Sequence, residues 1–184
     1  MTQAGENQAN LLLIRPAKPE EAEALTRLTL ASKRYWGYSE AQMRAWEPQL
    51  TVSADYISKN LVLVAEFGNS LCGYASRTQE PEDARVQIGS REIRGGYSLD
   101  NLFVLPEYMH RGIGTALLRE ILRRSRAEDI ASLNIVSDPN ARAFYERMGA
   151  SYLGDTLASE TARALPFLEI ACGIYPQEFQ KDEA

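Results

Sequence analysis

The sequence predicts one mixed α/β domain, and three observations support this. Apolar residues recur at helical spacing over residues 20–34 and again over residues 113–122. Two apolar runs flank the dipeptide Gly68-Asn69, the pattern of a β-hairpin. At 184 residues the chain is long enough for one domain with its own core and without disulfides.

The predicted elements follow one another in a mixed order. Residues 11–15 read as a first strand closed by Pro16, and residues 20–34 as a first helix. The hairpin strands are 61–66 and 71–75, and residues 97–104 form the central strand. A long helix follows from Ile113, then a short β-type run over 133–136, and the last strand covers 167–172. Residues 1–10 are expected to be a flexible N-terminus and residues 176–184 a polar tail.

Composition argues against several classes of protein. A formal net charge of −5 and a pI near 5.1 disfavour a nucleic-acid-binding protein or one that binds anionic membranes. No run of apolar residues is long enough to span a bilayer, and residues 1–10 lack the basic start of a secretory signal. Cys72 and Cys172 are expected to be buried free thiols, and with a single histidine no metal site is predicted. These features favour a cytoplasmic protein.

A glycine-bearing turn follows the central strand. Pro106 ends the strand pattern, and Gly112-Ile113-Gly114 opens an amphipathic helix. Such a turn presents backbone N–H groups that lack intrahelical partners, and the positive end of the helix dipole favours a phosphate there. No lysine follows the glycines as in a Walker loop, and Leu117 stands where a dinucleotide fingerprint needs a third glycine. Taken alone, the two glycines more often only shape a tight turn.

A second segment, residues 137–150, carries a helix with clear ends. Asp138 suits the N-cap, Pro139 the first helical position and Gly149 the residue after the helix. Tyr145 lies on the apolar face at helical spacing, together with Ala141, Phe144 and Met148. Taken alone, Tyr145 is more often a core residue with its hydroxyl at the surface.

Together the two segments, within residues 97–150, resemble the GNAT superfamily of acyl-CoA-dependent N-acetyltransferases. The first matches the strand, pyrophosphate loop and helix of that family, whose loop reads Gln/Arg-x-x-Gly-x-Gly/Ala. The second matches its Asn-x-x-Ala-x-x-x-Tyr-x-x-x-Gly pattern in part, through Asn140, Ala143, Tyr145 and Gly149. The Gln/Arg position falls on Met109, and His110 or Arg111 is the candidate for a compensating donor.

The resemblance implies a fold and a donor. It implies a single GNAT-like α/β (α+β) domain over residues 11–175. Its central mixed, mostly antiparallel sheet would have six to seven strands, splayed at the central strand and flanked by about four helices.

Acetyl-CoA is the implied acyl donor. The implied cofactor-binding residues are Leu102, Phe103 and Val104 along the pantetheine arm, the loop Met109, His110, Arg111, Gly112, Ile113, Gly114 and Thr115, and Asn140, Ala143 and Tyr145 on the second segment.

Transfer to an amine requires proton movements. A primary amine has a pKa near ~10.4, so it needs a general base before it can attack, and the leaving thiolate needs an acid. Tyr145 is the candidate acid because a phenol with a pKa near ~10 keeps its proton until the thiolate forms. Asp100 is the first candidate base, since it shares a strand face with Leu102. A purely structural hydrogen bond of Asp100 is the equal alternative, and Glu66, Glu169 or a water are further candidates for the base.

The acceptor site is placed in the aromatic stretch after the first helix. Tyr35, Trp36 and Tyr38 are the predicted substrate-binding residues, in a segment that reads as loop-rich as far as Ile57. The alternative is that Tyr35, Trp36 and Trp46 cover the core edge. Residues 79–96 are either a mobile lid or a long hairpin loop. Arg119, Arg123, Arg124 and Arg126 are expected to form a solvated helix face.

The predicted activity is acetyl transfer from acetyl-CoA to a primary amine of a small molecule. Two alternatives stay open: a non-catalytic acyl-CoA sensor or interaction module, and an N-acetyltransferase of proteins or peptides. The predicted partners are a coenzyme A thioester and an amine, with neither nucleic acid nor membrane. A homodimer is possible because dimers are frequent in such folds.

Overall fold

The predicted hairpin around Gly68-Asn69 is present in the computed structural model, which describes residues 11–157 and 163–173. Strands β2 (Leu61–Phe67) and β3 (Ser70–Gln79) pair antiparallel, with Phe67 opposite Ser70. The described residues form two compact units: 11–78 with 100–121, and 79–99 with 122–157 and 163–173. The predicted N-terminal segment and C-terminal tail lie outside the described residues.

The first unit begins with an edge strand and a helix. Strand β1 (Leu12–Pro16) pairs antiparallel with β2, and it ends at Pro16, which is its last paired residue. Proline is tolerated there because an edge strand does not need every N–H for pairing. Helix α1 (Ala22–Arg34) follows a 3-10 turn, so the predicted start at Glu20 falls within that turn. The buried face of α1 joins one cluster with the sheet: Leu25, Leu28, Val52, Ile57, Val62, Val64 and Tyr74.

Two helices occupy the stretch that the sequence predicted to be loop-rich. The prediction of a loop-rich stretch is therefore wrong. Helix α2 (Glu40–Leu50) begins at Ser39, whose hydroxyl accepts from the Gln42 amide at 3.3 Å while the Gln42 side chain accepts from the Ser39 amide at 3.0 Å. Helix α3 (Ala54–Lys59) begins at Ser53, whose hydroxyl accepts from the Tyr56 amide at 3.0 Å. These serine caps are the local signal that indicates both helices.

The sheet contains seven strands within the described residues, in the order β1-β2-β3-β6-β7-β9-β8. Strand β6 (Tyr97–Val104) has the predicted bounds, and β7 is Ser132–Val136. These two strands run parallel and pair only at Ser98 and Asn134, which agrees with a sheet that opens at its central strand. Strands β8 (Ser151–Leu157) and β9 (Ala164–Ala171) complete an otherwise mostly antiparallel sheet. The predicted mixed sheet is confirmed. Strand β8 was not predicted, and Cys172 follows the last strand instead of ending it.

Helices α4 (Ile113–Ala127) and α5 (Arg142–Arg147) complete the fold. The described residues therefore contain five α-helices, where the sequence predicted about four. Helix α4 starts at the predicted residue, and its buried residues follow the predicted rows: Ile113, Leu117, Leu118, Ile121 and Leu122. None of the described helices has the length and apolar character needed to cross a bilayer.

The segment 79–96 in the second unit is a hairpin. Strand β4 (Arg85–Ile88) pairs antiparallel with β5 (Arg91–Arg94). The base of the hairpin is held by the Glu80 amide, which donates to the Gly96 carbonyl at 2.8 Å. At its other end, the Ile88 side chain lies so close to Gly154 that a Cβ at Gly154 would be 2.6 Å from it. Of the two alternatives for this segment, the structure has the long hairpin.

Both cysteines are buried free thiols, as predicted. Within residues 11–157 and 163–173, no three His, Cys, Asp or Glu side chains are grouped so that they could hold a metal ion.

Candidate functional site

The turn before α4 has an unusual backbone conformation. His110 and Gly112 both have positive φ, +61° and +77°, and Arg111 between them does not. Alternating left- and right-handed residues turn successive N–H groups toward one side, which makes a concave site for an anion. Glycine suits position 112 because an L side chain is strained at this φ, although a Cβ there would have open space around it.

The amides of this turn are unused. Among the described residues, the N–H groups of residues 110–115 have no hydrogen-bond partner. The first helical bond of α4 is made by the Ala116 amide, which donates to the Gly112 carbonyl at 2.9 Å. The amides therefore lie at the positive end of a helix of 15 residues. This arrangement can hold a phosphate or a diphosphate through main-chain donors.

Met109 differs from the rest of the predicted loop. Its amide donates to the Pro106 carbonyl at 3.2 Å and closes the 3-10 turn Pro106–Tyr108. The main chain of Met109 is therefore not an open donor, and its side chain has none. The Arg111 guanidinium lies 5.5 Å above the centre of the Tyr108 ring, so a positive charge is held beside the loop. Of the two predicted compensating residues, Arg111 has a packing contact that orients it.

The strand that leads to the loop is packed tightly against β3. A Cβ at Gly73 would lie 2.9 Å from the Phe103 carbonyl oxygen and 3.3 Å from the Ile113 side chain. The Leu105 amide donates to the Cys72 carbonyl at 2.8 Å. Glycine at 73 therefore allows β6 and the start of α4 to approach β3 closely. Leu102, Phe103 and Val104, predicted to hold a pantetheine arm, are half-buried in this stretch.

In the second unit, Asp138 organises the start of the Tyr145 segment. The Asp138 carboxylate accepts from the Asn140 amide at 3.0 Å and from the Asn140 side chain at 3.0 Å. It also lies 3.9 Å from the Arg163 guanidinium. Asp138 is thus the predicted N-cap, here of a 3-10 turn (Pro139–Ala141) that leads into α5. Asn140 and Ala143 are exposed, and Gly149 lies just past the helix as predicted.

Tyr145 is a buried phenol. The residue is 7% exposed. No hydrogen bond to its hydroxyl occurs among the described residues. Burial, and then the nearby negative charge of Asp138, raise the pKa of Tyr145 well above its ordinary value, so it carries its proton at neutral pH.

Asp100 belongs to a hydrogen-bonded group in the first unit. Its carboxylate accepts from the Tyr56 hydroxyl and from the Asn101 side chain, the latter at 2.8 Å. The Tyr56 hydroxyl also meets the Ser76 hydroxyl at 2.6 Å. Asp100 is exposed. The two alternatives for Asp100 are therefore compatible, because an exposed carboxylate can be held by hydrogen bonds and still meet a substrate.

The other two candidate bases have partners. Glu66 forms an ion pair with Arg15 at 2.5 Å, and the same guanidinium also binds Glu21 at 2.7 Å. Glu169 accepts from the Ser132 hydroxyl at 3.1 Å. A carboxylate held in an ion pair is a weaker base than one outside an ion pair. Glu66 is therefore poorly suited to the role of the base.

The aromatic stretch contains an exposed pair and a packed pair. Tyr35 and Trp36 meet edge to face, with ring centres 5.4 Å apart, and are 53% and 42% exposed. Tyr38 packs on Trp46 at 4.9 Å, and the Lys33 ammonium lies 5.2 Å from the Tyr38 ring. Trp46 belongs to α2 and not to a loop.

The structure places the predicted residues in two groups. The first unit holds the loop, Leu102–Val104, Asp100 and the aromatic stretch, and the second unit holds Asn140, Ala143 and Tyr145. Sequence reasoning did not find Tyr56 or Ser76. No local pattern marks either residue, because their importance comes from contacts with Asp100 and Asn101, which are distant in sequence.

Comparisons with known proteins agree with this fold. The family model described as an acetyltransferase (GNAT) domain matches residues 58–149, half of the chain. A GCN5-related N-acetyltransferase from Rhodopseudomonas palustris is 23% identical with a TM-score of 0.68, over 89% of this chain and 97% of that one. The PaiA N-acetyltransferase from Thermoplasma acidophilum, solved with coenzyme A, is 20% identical with a TM-score of 0.66, over 88% and 99%.

A third similar structure contains the acyl donor. A GNAT family acetyltransferase from Brucella melitensis, solved with acetyl-CoA, is 25% identical with a TM-score of 0.57, over 90% of this chain and 91% of that one. A comparison with curated protein sequences gives no match. The matched family model includes the loop and the Tyr145 segment, the two regions whose geometry is described above. The chain therefore belongs to the GNAT acetyltransferase family, and it is an acyltransferase.

Proposed function

We propose that this enzyme transfers the acetyl group of acetyl-CoA to a primary amine of a small molecule. The observation that carries the proposal is the row of amides over residues 110–115 at the start of α4, which have no hydrogen-bond partner within 11–157 and 163–173. Coenzyme A carries a diphosphate, the group that such a row of donors fits. The similar structures from Thermoplasma acidophilum and Brucella melitensis hold coenzyme A and acetyl-CoA.

The residues present suit a diphosphate for three reasons. The donors are main-chain groups, so they need no side chain at Met109. Arg111, oriented by Tyr108, supplies a positive charge beside them. The positive φ of His110 and Gly112 turns successive amides of the loop toward one side.

Tyr145 is assigned the role of general acid. Its hydroxyl has no hydrogen-bond partner among the described residues and keeps its proton at neutral pH. A phenol with a raised pKa is a weaker acid in water, but a thiolate formed in the same apolar surroundings would have a raised pKa as well. The proton can therefore pass to the leaving sulfur without a large mismatch.

Asp100 is assigned the role of general base on the acceptor side. An incoming ammonium must lose a proton, at a cost of roughly 4–5 kcal/mol at neutral pH for a lysine-like amine. The exposed Asp100 carboxylate can attract the ammonium and accept that proton directly or through a water. Tyr35, Trp36 and Tyr38 are assigned to the acceptor side.

Binding is tested with coenzyme A and with pantetheine, which lacks the diphosphate. The wild-type protein should bind coenzyme A far more tightly than pantetheine by calorimetry. Gly112→Ala should weaken coenzyme A binding about tenfold or more, because the strained residue disturbs the row of amides. Gly89→Ala is the matched control, since Gly89 also has a positive φ of +56° with open space around it, at the tip of the β4–β5 hairpin. Equal binding of coenzyme A and pantetheine would contradict the role of the loop.

Activity is tested by thiol release from acetyl-CoA with a panel of small amines and peptides. Turnover with small primary amines supports the proposal. Coenzyme A binding without turnover on any acceptor would favour a sensor, and turnover only on peptides would favour a peptide N-acetyltransferase.

A further inference from the structure

Tyr56 is the centre of a group of four polar side chains, defined here as the Tyr56 cluster: Tyr56, Ser76, Asp100 and Asn101. These residues come from α3, β3 and β6 and all belong to the first unit. The Tyr56 hydroxyl contacts Asp100, lies 2.6 Å from the Ser76 oxygen and lies 2.9 Å from the Asn101 amide nitrogen.

The direction of each hydrogen bond in the Tyr56 cluster follows from which groups can donate and which can only accept. A carboxylate can only accept, so the Tyr56 proton goes to Asp100. The Ser76 hydroxyl must then donate to the Tyr56 oxygen, because Tyr56 already donates its only hydroxyl proton to Asp100. The Asn101 side chain donates to Asp100 at 2.8 Å and to Ser76 at 3.0 Å. The bonds all run in one direction, and they end on the Asp100 carboxylate.

Ser76 anchors the cluster in the core. It is 0% exposed, whereas Asp100 is exposed. Tyr56 lies between them and is half-buried. The cluster therefore connects a fixed, buried hydroxyl to a carboxylate at the surface. Such a connection holds the carboxylate in one orientation, which an unsupported surface aspartate would lack.

We infer that Tyr56 is a positioning residue for Asp100 in acetyl transfer, and that it holds the carboxylate ionised and oriented toward the acceptor ammonium. The inference rests on the proposed function, in which Asp100 is the base. The negative charge of Asp100 acts on Tyr56 from α3 and also on the buried Tyr74 from β3. Tyr74 acts differently, because its hydroxyl bonds to Thr29 at 2.6 Å.

The inference predicts a change in pH dependence that a purely structural role would not cause. A hydrogen-bond donor stabilises the ionised form of a carboxylate, so its removal favours protonation. In Tyr56→Phe, the acid limb of the kcat/KM profile for the amine should therefore move upward by about 0.5 to 1 pH unit. The KM for acetyl-CoA should stay within about twofold, since the inference involves the acceptor side alone.

A matched control is available at the surface of the second unit. The Tyr152 hydroxyl also donates to an aspartate, Asp155, at 2.9 Å. Tyr152→Phe removes the same kind of bond and should leave the pH profile unchanged. If Tyr56→Phe folds poorly because Ser76 loses its acceptor, the double variant Tyr56→Phe/Ser76→Ala removes both hydroxyls and should give the same shift.

The outcomes separate this inference from the proposed function. If the acid limb disappears or moves in Asp100→Asn but stays in place in Tyr56→Phe and the double variant, the role of Tyr56 is overturned. If Asp100→Asn keeps the wild-type profile, the assignment of the base fails and this inference fails with it. If the wild-type protein acetylates no amine, the proposed function itself is wrong.

Discussion

Tyr56 and Tyr145 have the same side chain in opposite settings. The Tyr56 hydroxyl has three polar neighbours in the first unit, whereas the Tyr145 hydroxyl has none among the described residues. Desolvation raises the pKa of both phenols. The Tyr56 hydroxyl donates its proton to Asp100, whereas the Tyr145 hydroxyl donates to no group among the described residues. The comparison teaches that two phenols with raised pKa values can differ in their hydrogen-bond partners, which the pKa direction alone does not reveal.

The largest expected effect is the loss of activity in Tyr145→Phe. Removing a general acid should lower kcat by about 10²- to 10⁴-fold. Stability should change little, because the lost hydroxyl has no partner in the part of the chain that the structure describes, and coenzyme A should still bind. Steady-state rates, calorimetry and urea unfolding measure the three quantities. A kcat within about threefold of the wild-type value would remove Tyr145 from the chemistry.

The second effect is a fall in stability at alkaline pH. The folded-state pKa values of Tyr56, Tyr74 and Tyr145 are all raised above the ordinary value, mainly by burial. In the unfolded chain these phenols ionise near pH 10, whereas the folded protein keeps their protons. The stability present below pH ~10 is therefore lost above it, by about 1.4 kcal/mol per pH unit for each tyrosine.

Urea unfolding between pH 9 and 11 measures this slope. The slope should be smaller in Tyr145→Phe than in the wild-type protein, while the two proteins should agree at pH 8, where no phenol ionises. An identical slope in both proteins would show that Tyr145 is not buried as described.

The third effect is a difference in stability between the Tyr56→Phe and Tyr145→Phe variants. Tyr56→Phe should lower the free energy of unfolding by about 1–3 kcal/mol, because it leaves the fully buried Ser76 hydroxyl without an acceptor. The double variant with Ser76→Ala should recover part of that loss. Thermal and urea unfolding check both values. Equal stability of Tyr56→Phe and Tyr145→Phe would contradict the difference in hydrogen bonding between the two hydroxyls.

The smallest effect concerns the cap beside Tyr145. Asp138→Ala should cost about 1 kcal/mol, because the Asn140 amide loses its acceptor. Asp138→Asn keeps a good capping side chain and removes only the charge, so it should be more stable than Asp138→Ala. Without that negative charge, the pKa of Tyr145 should fall toward its ordinary value. An absorbance titration of the phenols against the wild-type protein tests this shift.

The parts of the site that the sequence predicted depend on neighbours in the chain. The loop needs Gly112 before a helix, and the second segment needs Asp138, Pro139 and Gly149 at fixed spacings. Caps and turns are local, since each satisfies backbone groups a few residues away. The same reasoning could have found α2 and α3 from Ser39 and Ser53, although Pro48 within α2 argues against a helix by sequence alone.

The sequence by itself therefore determined the family, the central strand, the glycine-bearing turn before α4 and the helix that carries Tyr145. Tertiary structure alone decided which carboxylate is supported, because Tyr56 and Asp100 meet across 44 residues of chain. It also decided that Gly73 must be small, since only the folded sheet brings the Phe103 carbonyl against it. Local hydrogen bonding leaves a readable pattern of residue types, whereas contacts between distant strands and helices depend on how the whole chain packs.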